Sequence, residues 1–321
     1  MADDDPEQEA KPSRAWIRTT VMGLGGLAAV VIIILRIGDP AELWHTLQHA
    51  TWGWLVLALV VSLLTSIPFA VAFIGTVPHD IPFWSAVELQ VAMGFSNVTL
   101  PAGAESAVQV RFLQKRGVDL ASALAVGGVY STVSEFVIQA AIFGGALLLA
   151  PTQVDVGSVP VGSVIAAAAV IVGLLIIAGA VVFGIERIRH RVVPHLTRAG
   201  RTTLEAMRSP RRIALMILGN VVAQLLYASS LLFCLYAFGS GAAFWTLLAL
   251  HVGISVVAGL VPVPGLDTAV STLSMSGALI AVGVDAPAAA AAVVANTLVN
   301  EYVPAIPGWF ATNYLIRTGR L

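Results

Sequence analysis

Residues 53–75 read GWLVLALVVSLLTSIPFAVAFIG, a stretch without a single charged side chain. A helix that crosses the hydrocarbon core of a membrane needs about 20 mainly apolar residues, so this stretch is long enough to span. Comparable stretches lie at residues 16–37, 119–150, 158–185, 212–238 and 286–316. The pattern predicts an all-α polytopic membrane protein with about six spanning helices.

The composition supports this fold class. Of the 321 residues, 58% are hydrophobic and 11% are charged, which is too apolar for an ordinary soluble domain. Cys234 is the only cysteine, so a disulfide framework and a cysteine metal cluster are excluded, and we expect no cofactor. We expect residues 1–15 to be a disordered acidic tail without the features of a cleaved signal peptide, and residues 16–321 to be one transmembrane domain.

The basic residues predict the orientation, because cationic loops stay on the cytoplasmic side. They form four clusters: Lys11 to Arg18, Arg111 to Arg116, Arg187 to Arg212, and Arg317 with Arg320. If all four are cytoplasmic, residues 83–110 must enter and leave on the cytoplasmic side, and residues 242–283 on the outside. We therefore expect two opposed re-entrant broken helices in a bacterial inner membrane, with both termini cytoplasmic.

Two parts of the sequence resemble each other. The motif Phe83-Trp84-Ser85 precedes Pro101 by the same interval as Phe244-Trp245-Thr246 precedes Pro262, and Gly117-Val118-Asp119 precedes Glu135 by the same interval as Gly283-Val284-Asp285 precedes Glu301. Chance matching of small apolar residues is the alternative explanation. With the orientations that the charges predict, the pattern favours an inverted repeat of residues 53–185 and 212–318, an architecture common in secondary transporters.

The two broken segments are polar and contain proline. They read Asn97-Val-Thr-Leu-Pro101-Ala-Gly103, followed by Glu105, and Pro262-Val-Pro264-Gly265-Leu-Asp267. Non-helical backbone within a membrane is tolerated only inside protein or beside a wet cavity. A helix that begins after each break would direct its N-terminal amides inward, where anionic headgroups could bind.

Two carboxylates are predicted to lie within long membrane helices. Glu135 and Glu301 are expected near the middle of the membrane, where ionisable groups usually face a cavity, a partner or a proton path. Arg111 is one candidate partner. The alternative is that both carboxyl groups bond to neighbours such as Asn300 or Ser134 and only hold helices together.

At these residues the sequence resembles the lysylphosphatidylglycerol synthetase transmembrane region family, a group of flippase-like membrane proteins. The motifs are the Asn97 to Gly103 break with Glu105, the Arg111 to Gly117 stretch, the Val261 to Leu266 break with Asp267, and Asn300 to Pro304. The resemblance implies that a lipid headgroup moves between leaflets, without aminoacyl transfer. The candidate substrate-binding residues are Asn97, Pro101, Gly103, Glu105, Arg111, Glu135, Pro264, Gly265, Asp267, Asn300 and Glu301.

We therefore expect a lipid flippase or transporter with a central polar cavity rather than an enzyme. Membrane lipid is the expected partner, nucleic acid is not, and a homo-oligomer stays open. Two alternatives are an integral membrane transferase that uses a polyprenyl-phosphate-linked donor and a non-catalytic membrane scaffold. The transferase would need acidic residues in external loops to hold a divalent cation, and those loops offer little beyond Asp39, Glu42 and Asp155.

Overall fold

The computed structural model describes residues 50–77, 79–99, 104–124, 126, 131–150, 209–258 and 266–321. The predicted tail and the predicted spans at residues 16–37 and 158–185 lie outside this part of the chain, as do residues 100–103 and 262–265 of the two predicted breaks. The remaining residues of those breaks, 97–99 and 266–267, are helical. All regular structure in the described residues is helical. The predicted all-α fold class is confirmed.

Eleven helices are described, together with one π-helical turn. They are α1 (Trp52–Leu64), α2 (Ser66–Thr76), α3 (Phe83–Thr99), α4 (Ala104–Lys115), α5 (Leu120–Leu124), α6 (Ser131–Leu149), α7 (Pro210–Ala237), α8 (Phe244–Ala258), α9 (Leu266–Ala281), α10 (Ala286–Thr297), the turn Leu298–Tyr302, and α11 (Val303–Arg317).

Three predicted spans are confirmed as helices that are long and apolar enough to cross a membrane: Trp52–Thr76, Pro210–Ala237 and Ala286–Arg317. The first is interrupted at Thr65, because Pro68 has no N–H to donate to the carbonyl four residues before it. The stretch predicted as a span at 119–150 contains two helices, α5 and α6. Helix α7 has 28 residues and is therefore about 42 Å long.

Glycines allow the long helices to approach closely. A Cβ atom at Gly219 of α7 would lie 2.6 Å from the backbone nitrogen of Ala72 in α2, and one at Gly75 would lie 2.6 Å from the backbone nitrogen of Met216 in α7. Helices α3 and α11 meet in the same way, since a Cβ at Gly308 would lie 2.6 Å from the nitrogen of Phe95. Small residues at such contacts are typical of membrane helix packing.

The helix contacts are reciprocal between the two predicted repeats. Helices α1 and α2 pack against α7, so the first long helices of the repeats contact each other. Helix α3 packs against α11, and α8 packs against α6. The helix before each proline break therefore contacts the last described helix of the other repeat.

The two Gly-Val-Asp motifs form the same turn. Gly117 and Gly283 have φ angles of 82° and 94°, a conformation that costs other residues energy because of their Cβ. The next amide, at Val118 or Val284, donates to the carbonyl five residues earlier, at 3.1 and 3.0 Å. This 6→1 hydrogen bond is typical of a glycine-terminated helix.

The helix ends form two separate hydrophobic clusters. The first contains Val77, Ile81, Leu113, Val118 and Leu315, and so joins the end of α2, the approach to α3 and the ends of α4 and α11. The second contains residues in the middle of α1, at the end of α7, at the start of α8, at the end of α9 and before α10, and it extends to the π-helical turn: Ala58, Leu235, Leu247, Leu279, Val284 and Val299. The end of α2 contacts the start of α7, since Gly75 lies beside Met216, whereas Thr51 before α1 bonds to Ala237 at the end of α7. The clusters therefore lie towards opposite ends of the bundle.

Candidate functional site

The structure describes the side chains of four predicted site residues. Asn97 lies near the end of α3 and Arg111 lies on α4, both exposed, whereas Asn300 and Glu301 are half-buried in the π-helical turn. Glu105, Glu135 and Asp267 lie near the starts of α4, α6 and α9, but their side chains are outside the described part. The remaining four candidates, Pro101, Gly103, Pro264 and Gly265, are also outside it.

The π-helical turn Leu298–Tyr302 separates α10 from α11. The amide of Val303 donates to the carbonyl of Leu298, five residues earlier. In this register the next donor would be residue 304, which is a proline and has no N–H. The carbonyl of Val299 therefore loses its partner within the helix.

A serine from another helix bonds to that carbonyl. Ser62 of α1 is buried, and its hydroxyl donates to the Val299 carbonyl at 3.0 Å. A buried carbonyl without a donor is costly, so this bond compensates for Pro304. Ser62 lies near the middle of the Trp52–Thr76 span and links it to the turn that carries Asn300 and Glu301.

Asn300 is the centre of a polar network. Its Nδ2 donates to the Asn296 side-chain oxygen at 2.7 Å, to the Asn296 carbonyl at 3.0 Å and to the Ser230 hydroxyl at 3.1 Å. The Ser230 hydroxyl in turn donates to the carbonyl of Ala58 at 3.3 Å. The network joins α1, α7 and α10 with the π-helical turn.

The contacts of Nδ2 also define which amide atom is the oxygen. The backbone carbonyl of Asn296 can only accept a hydrogen bond, so the amino group of Asn300 must face it. The Oδ1 atom of Asn300 is buried and has no hydrogen-bond partner among the described residues. An unpaired buried acceptor needs a donor from a water, a moving side chain or a ligand.

Further polar groups are buried on the neighbouring helices. The hydroxyls of Thr272 in α9 and Thr297 in α10 lie 3.4 Å apart. The Oγ atom of Ser276, one turn after Thr272, and the Oε1 atom of Gln224 in α7 are buried without a described partner. The arrangement supplies hydrogen-bonding groups within an apolar bundle, as a polar ligand passing through a membrane would require.

Ser62 and Ser230 are site residues that the sequence did not predict. Each is a single serine in an apolar helix, and the sequence does not show which neighbour it faces. Asn296 carried a usable signal, since it precedes Asn300 by four residues and so lies on the same helix face. Pro304 was part of a quoted motif, although its effect on the Val299 carbonyl requires the geometry of the turn.

The structure also brings charged residues together at one end of the bundle. Arg320 donates from Nη1 to Oε2 of Glu88 in α3 at 2.9 Å. Arg212, at the start of α7, donates to the carbonyl of Val77 at 2.9 Å. Arg116 lies near Arg320 and Glu88. The described members of three basic clusters therefore lie towards the same end, as the predicted orientation requires.

A search of the curated proteins finds no match to this chain. A family model does match, over residues 20–308, and its description is lysylphosphatidylglycerol synthase TM region. The match covers nearly the whole transmembrane domain and includes the π-helical turn and both groups of helices beside the proline breaks. It agrees with the family resemblance found in the sequence and with the apolar helices of the structure. The chain therefore belongs to the lysylphosphatidylglycerol synthase TM region family, membrane proteins related to lipid modification or translocation.

Proposed function

We propose that the protein is a flippase or transporter that moves a phospholipid or lipid-linked headgroup between the leaflets without changing it covalently. The observation that carries the proposal is the reciprocal packing of the two predicted repeats. The helix pairs α3–α4 and α8–α9 each flank a proline break. One helix of each pair packs against the other repeat, α3 against α11 and α8 against α6. Inverted repeats with broken helices allow the two halves to exchange roles as access alternates.

The positions of the helix ends support two opposed re-entrant elements. The approach to α3 and the end of α4 belong to one hydrophobic cluster, whereas the start of α8 and the end of α9 belong to the other. We propose that each pair enters and leaves the membrane at one end of the bundle, that the two pairs do so at opposite ends, and that both breaks face the interior.

The polar π-helical turn supports a path for a headgroup. Asn300 and Glu301 belong to a turn whose hydrogen bonding departs from the α-helical register. Such turns frequently occur at functional sites. We propose that the two glutamates, Glu135 and Glu301, and the helix ends after the breaks hold the headgroup while the acyl chains stay in the lipid.

The orientation remains part of the proposal. The grouping of Arg212, Arg317 and Arg320 near one end supports cytoplasmic placement of that end, and thus a cytoplasmic C-terminus in a bacterial inner membrane. Membrane lipid is the proposed partner.

A vesicle assay tests the proposal. The purified protein is reconstituted, and the accessibility of a labelled phospholipid headgroup at the outer surface is followed with an impermeant reducing agent. We expect the protein to increase the fraction of lipid exchanged. Glu135→Gln and Glu301→Gln should each slow the exchange by tenfold or more, about 1.4 kcal/mol in the barrier, because we propose that both carboxylates contact the headgroup or a proton path.

A matched control and two other outcomes complete the design. Asp285→Asn removes an exposed carboxylate at an end of the bundle and should leave the exchange rate within about twofold. If both glutamine variants exchange lipid like the parent, the two carboxylates are structural. If the parent moves no lipid but forms a metal-dependent product from a polyprenyl-phosphate donor, the transferase alternative replaces the flippase.

A further inference from the structure

The turn after α4 contains an arginine whose charge is only partly compensated. The guanidinium of Arg116 lies over the ring of Phe112, 3.6 Å from its centroid. Its Nη1 atom is buried and has no acceptor among the described residues. A buried charged donor without an acceptor is more costly than a neutral one, and the ring face returns only part of that energy.

Two arginines share one carboxylate at this position. Arg320 and Glu88 both act electrostatically on Arg116, and Glu88 already accepts the hydrogen bond from Arg320. Burial lowers the pKa of Arg116, and the nearby Arg320 lowers it further, while Glu88 raises it. Arg116, Arg320 and Glu88 therefore carry two positive charges and one negative charge between them.

The second repeat shows that the fold does not need this arginine. Its turn at Gly283 has the same φ region and the same 6→1 hydrogen bond, yet Val282 stands where the first turn has Arg116. The repeat register likewise places Ala249 opposite Glu88. The charged cluster is an addition to one end of the bundle, and the turn itself does not explain it.

The surroundings are those of a lipid headgroup region. Trp84, near the start of α3, is 70% exposed, and exposed tryptophan is typical of the membrane interface. Lys115 and Arg317 are exposed at the ends of the two helices that carry the arginines. An anion that contacted both Arg116 and Arg320 would bind two guanidinium groups. A guanidinium can donate two parallel hydrogen bonds to phosphate oxygens, which no other basic side chain can do.

We infer that Arg116 and Arg320 form a binding site for an anionic phosphate group, at the end of the bundle where α3, α4 and α11 meet. The phosphate belongs either to an anionic phospholipid headgroup or to free phosphate, because both present the same oxygens. Binding there does not require that the protein moves lipid, so the site goes beyond the proposed transport function.

Ligand-dependent thermal unfolding of the full chain in a neutral detergent tests the site. The protein is titrated separately with dihexanoylphosphatidylglycerol, dihexanoylphosphatidylcholine and inorganic phosphate. We expect phosphatidylglycerol to raise the unfolding temperature and phosphatidylcholine to do so far less. Arg116→Gln and Arg320→Gln should each weaken the binding of phosphatidylglycerol about tenfold, the loss expected for one charge-assisted hydrogen bond.

Arg317→Gln is the matched control, because it removes the same charge from an exposed position in the last turn of α11. It should change the affinity by less than about twofold, and Arg116→Lys should keep most of it. If inorganic phosphate binds with this variant pattern and phosphatidylglycerol does not, the site is assigned to free phosphate. Equal weakening by Arg317→Gln, equal binding of phosphatidylcholine, or no anion binding at all would overturn the site. If Arg116→Gln does not fold, Arg320→Gln and Arg116→Lys carry the test.

Discussion

Ser62 and Pro304 act on the same backbone carbonyl from different helices. Pro304 removes the amide that would bond to the Val299 carbonyl in the π-helical register, and the Ser62 hydroxyl supplies a donor at 3.0 Å. Ser62, a single polar residue in an apolar span, is thus bonded to the turn that contains Asn300. The hydroxyl is needed because of a proline far away in the sequence.

Removing this hydroxyl should destabilise the bundle. Ser62→Ala leaves a buried carbonyl without a donor, and we expect a loss of about 1–3 kcal/mol in the free energy of unfolding. Ser229→Ala is the control, since in the described part of the chain that hydroxyl bonds to a carbonyl of its own helix, and it should cost less than about 0.5 kcal/mol. The measurement is unfolding of the protein in micelles by a denaturing detergent.

A double-mutant cycle separates the bond from other effects of the serine. Pro304→Ala restores an amide that can bond within the helix, so Ser62→Ala should cost less in that background than in the parent. If the cost of Ser62→Ala is the same in both backgrounds, the hydroxyl does not compensate for the proline.

At the scale of helices, glycine contacts set how closely the two repeats approach. Gly219→Ala and Gly308→Ala each place a methyl group 2.6 Å from a backbone nitrogen of the neighbouring helix. Because a helix backbone cannot shift as a side chain does, the helices must separate, and we expect each variant to lose about 1–3 kcal/mol of stability. Unfolding in denaturing detergent measures the loss.

Gly277→Ala provides the control for this series. No atom lies within 4 Å of the Cβ position of Gly277 in α9, so alanine should be neutral or stabilising by up to about 1 kcal/mol through its higher helix propensity. A loss in Gly277→Ala equal to that in Gly219→Ala would show that the close approach of α7 to α2 is not the cause.

The sequence predicted the features that depend only on the composition of a single segment. Hydropathy was sufficient for the Trp52–Thr76, Pro210–Ala237 and Ala286–Arg317 helices, because burial in lipid needs only a long apolar segment. The interruption at Thr65 depends on the amide that Pro68 lacks, and the unpaired Val299 carbonyl depends on the amide that Pro304 lacks. That effect is local, but its compensation by Ser62 depends on packing between helices, which periodicity does not reveal.

The sequence predicted only part of the candidate site, because the rest depends on packing between helices. Asn300 and Glu301 were recognisable as polar residues within an apolar helix, and the structure places them in one turn. Ser230 joins the network only because α7 packs beside that turn. The excess charge at Arg116 was likewise hidden, since Glu88 and Arg320 are far from it in sequence and adjacent only in the fold.

For the whole molecule, the two hydrophobic clusters of helix ends require a definite topology. One end gathers the ends of α4 and α11, and the other gathers the start of α8 and the turn before α10. Lys115 and Arg317 should therefore be accessible from one side of the membrane, and Ala243 and Asp285 from the other. All four positions are exposed.

Cysteine labelling tests this arrangement directly. Cys234 is buried, so a Cys234→Ala background with one new cysteine at each of these four positions reports on one site at a time. In intact cells of a bacterial host, an impermeant maleimide should label Ala243→Cys and Asp285→Cys, while Lys115→Cys and Arg317→Cys should react only after permeabilisation, because basic clusters stay in the cytoplasm. The reverse pattern would keep the two-ended geometry and invert its orientation. Labelling of positions 115 and 317 from opposite sides would contradict the geometry itself, and with it the opposed entry of the two helix pairs.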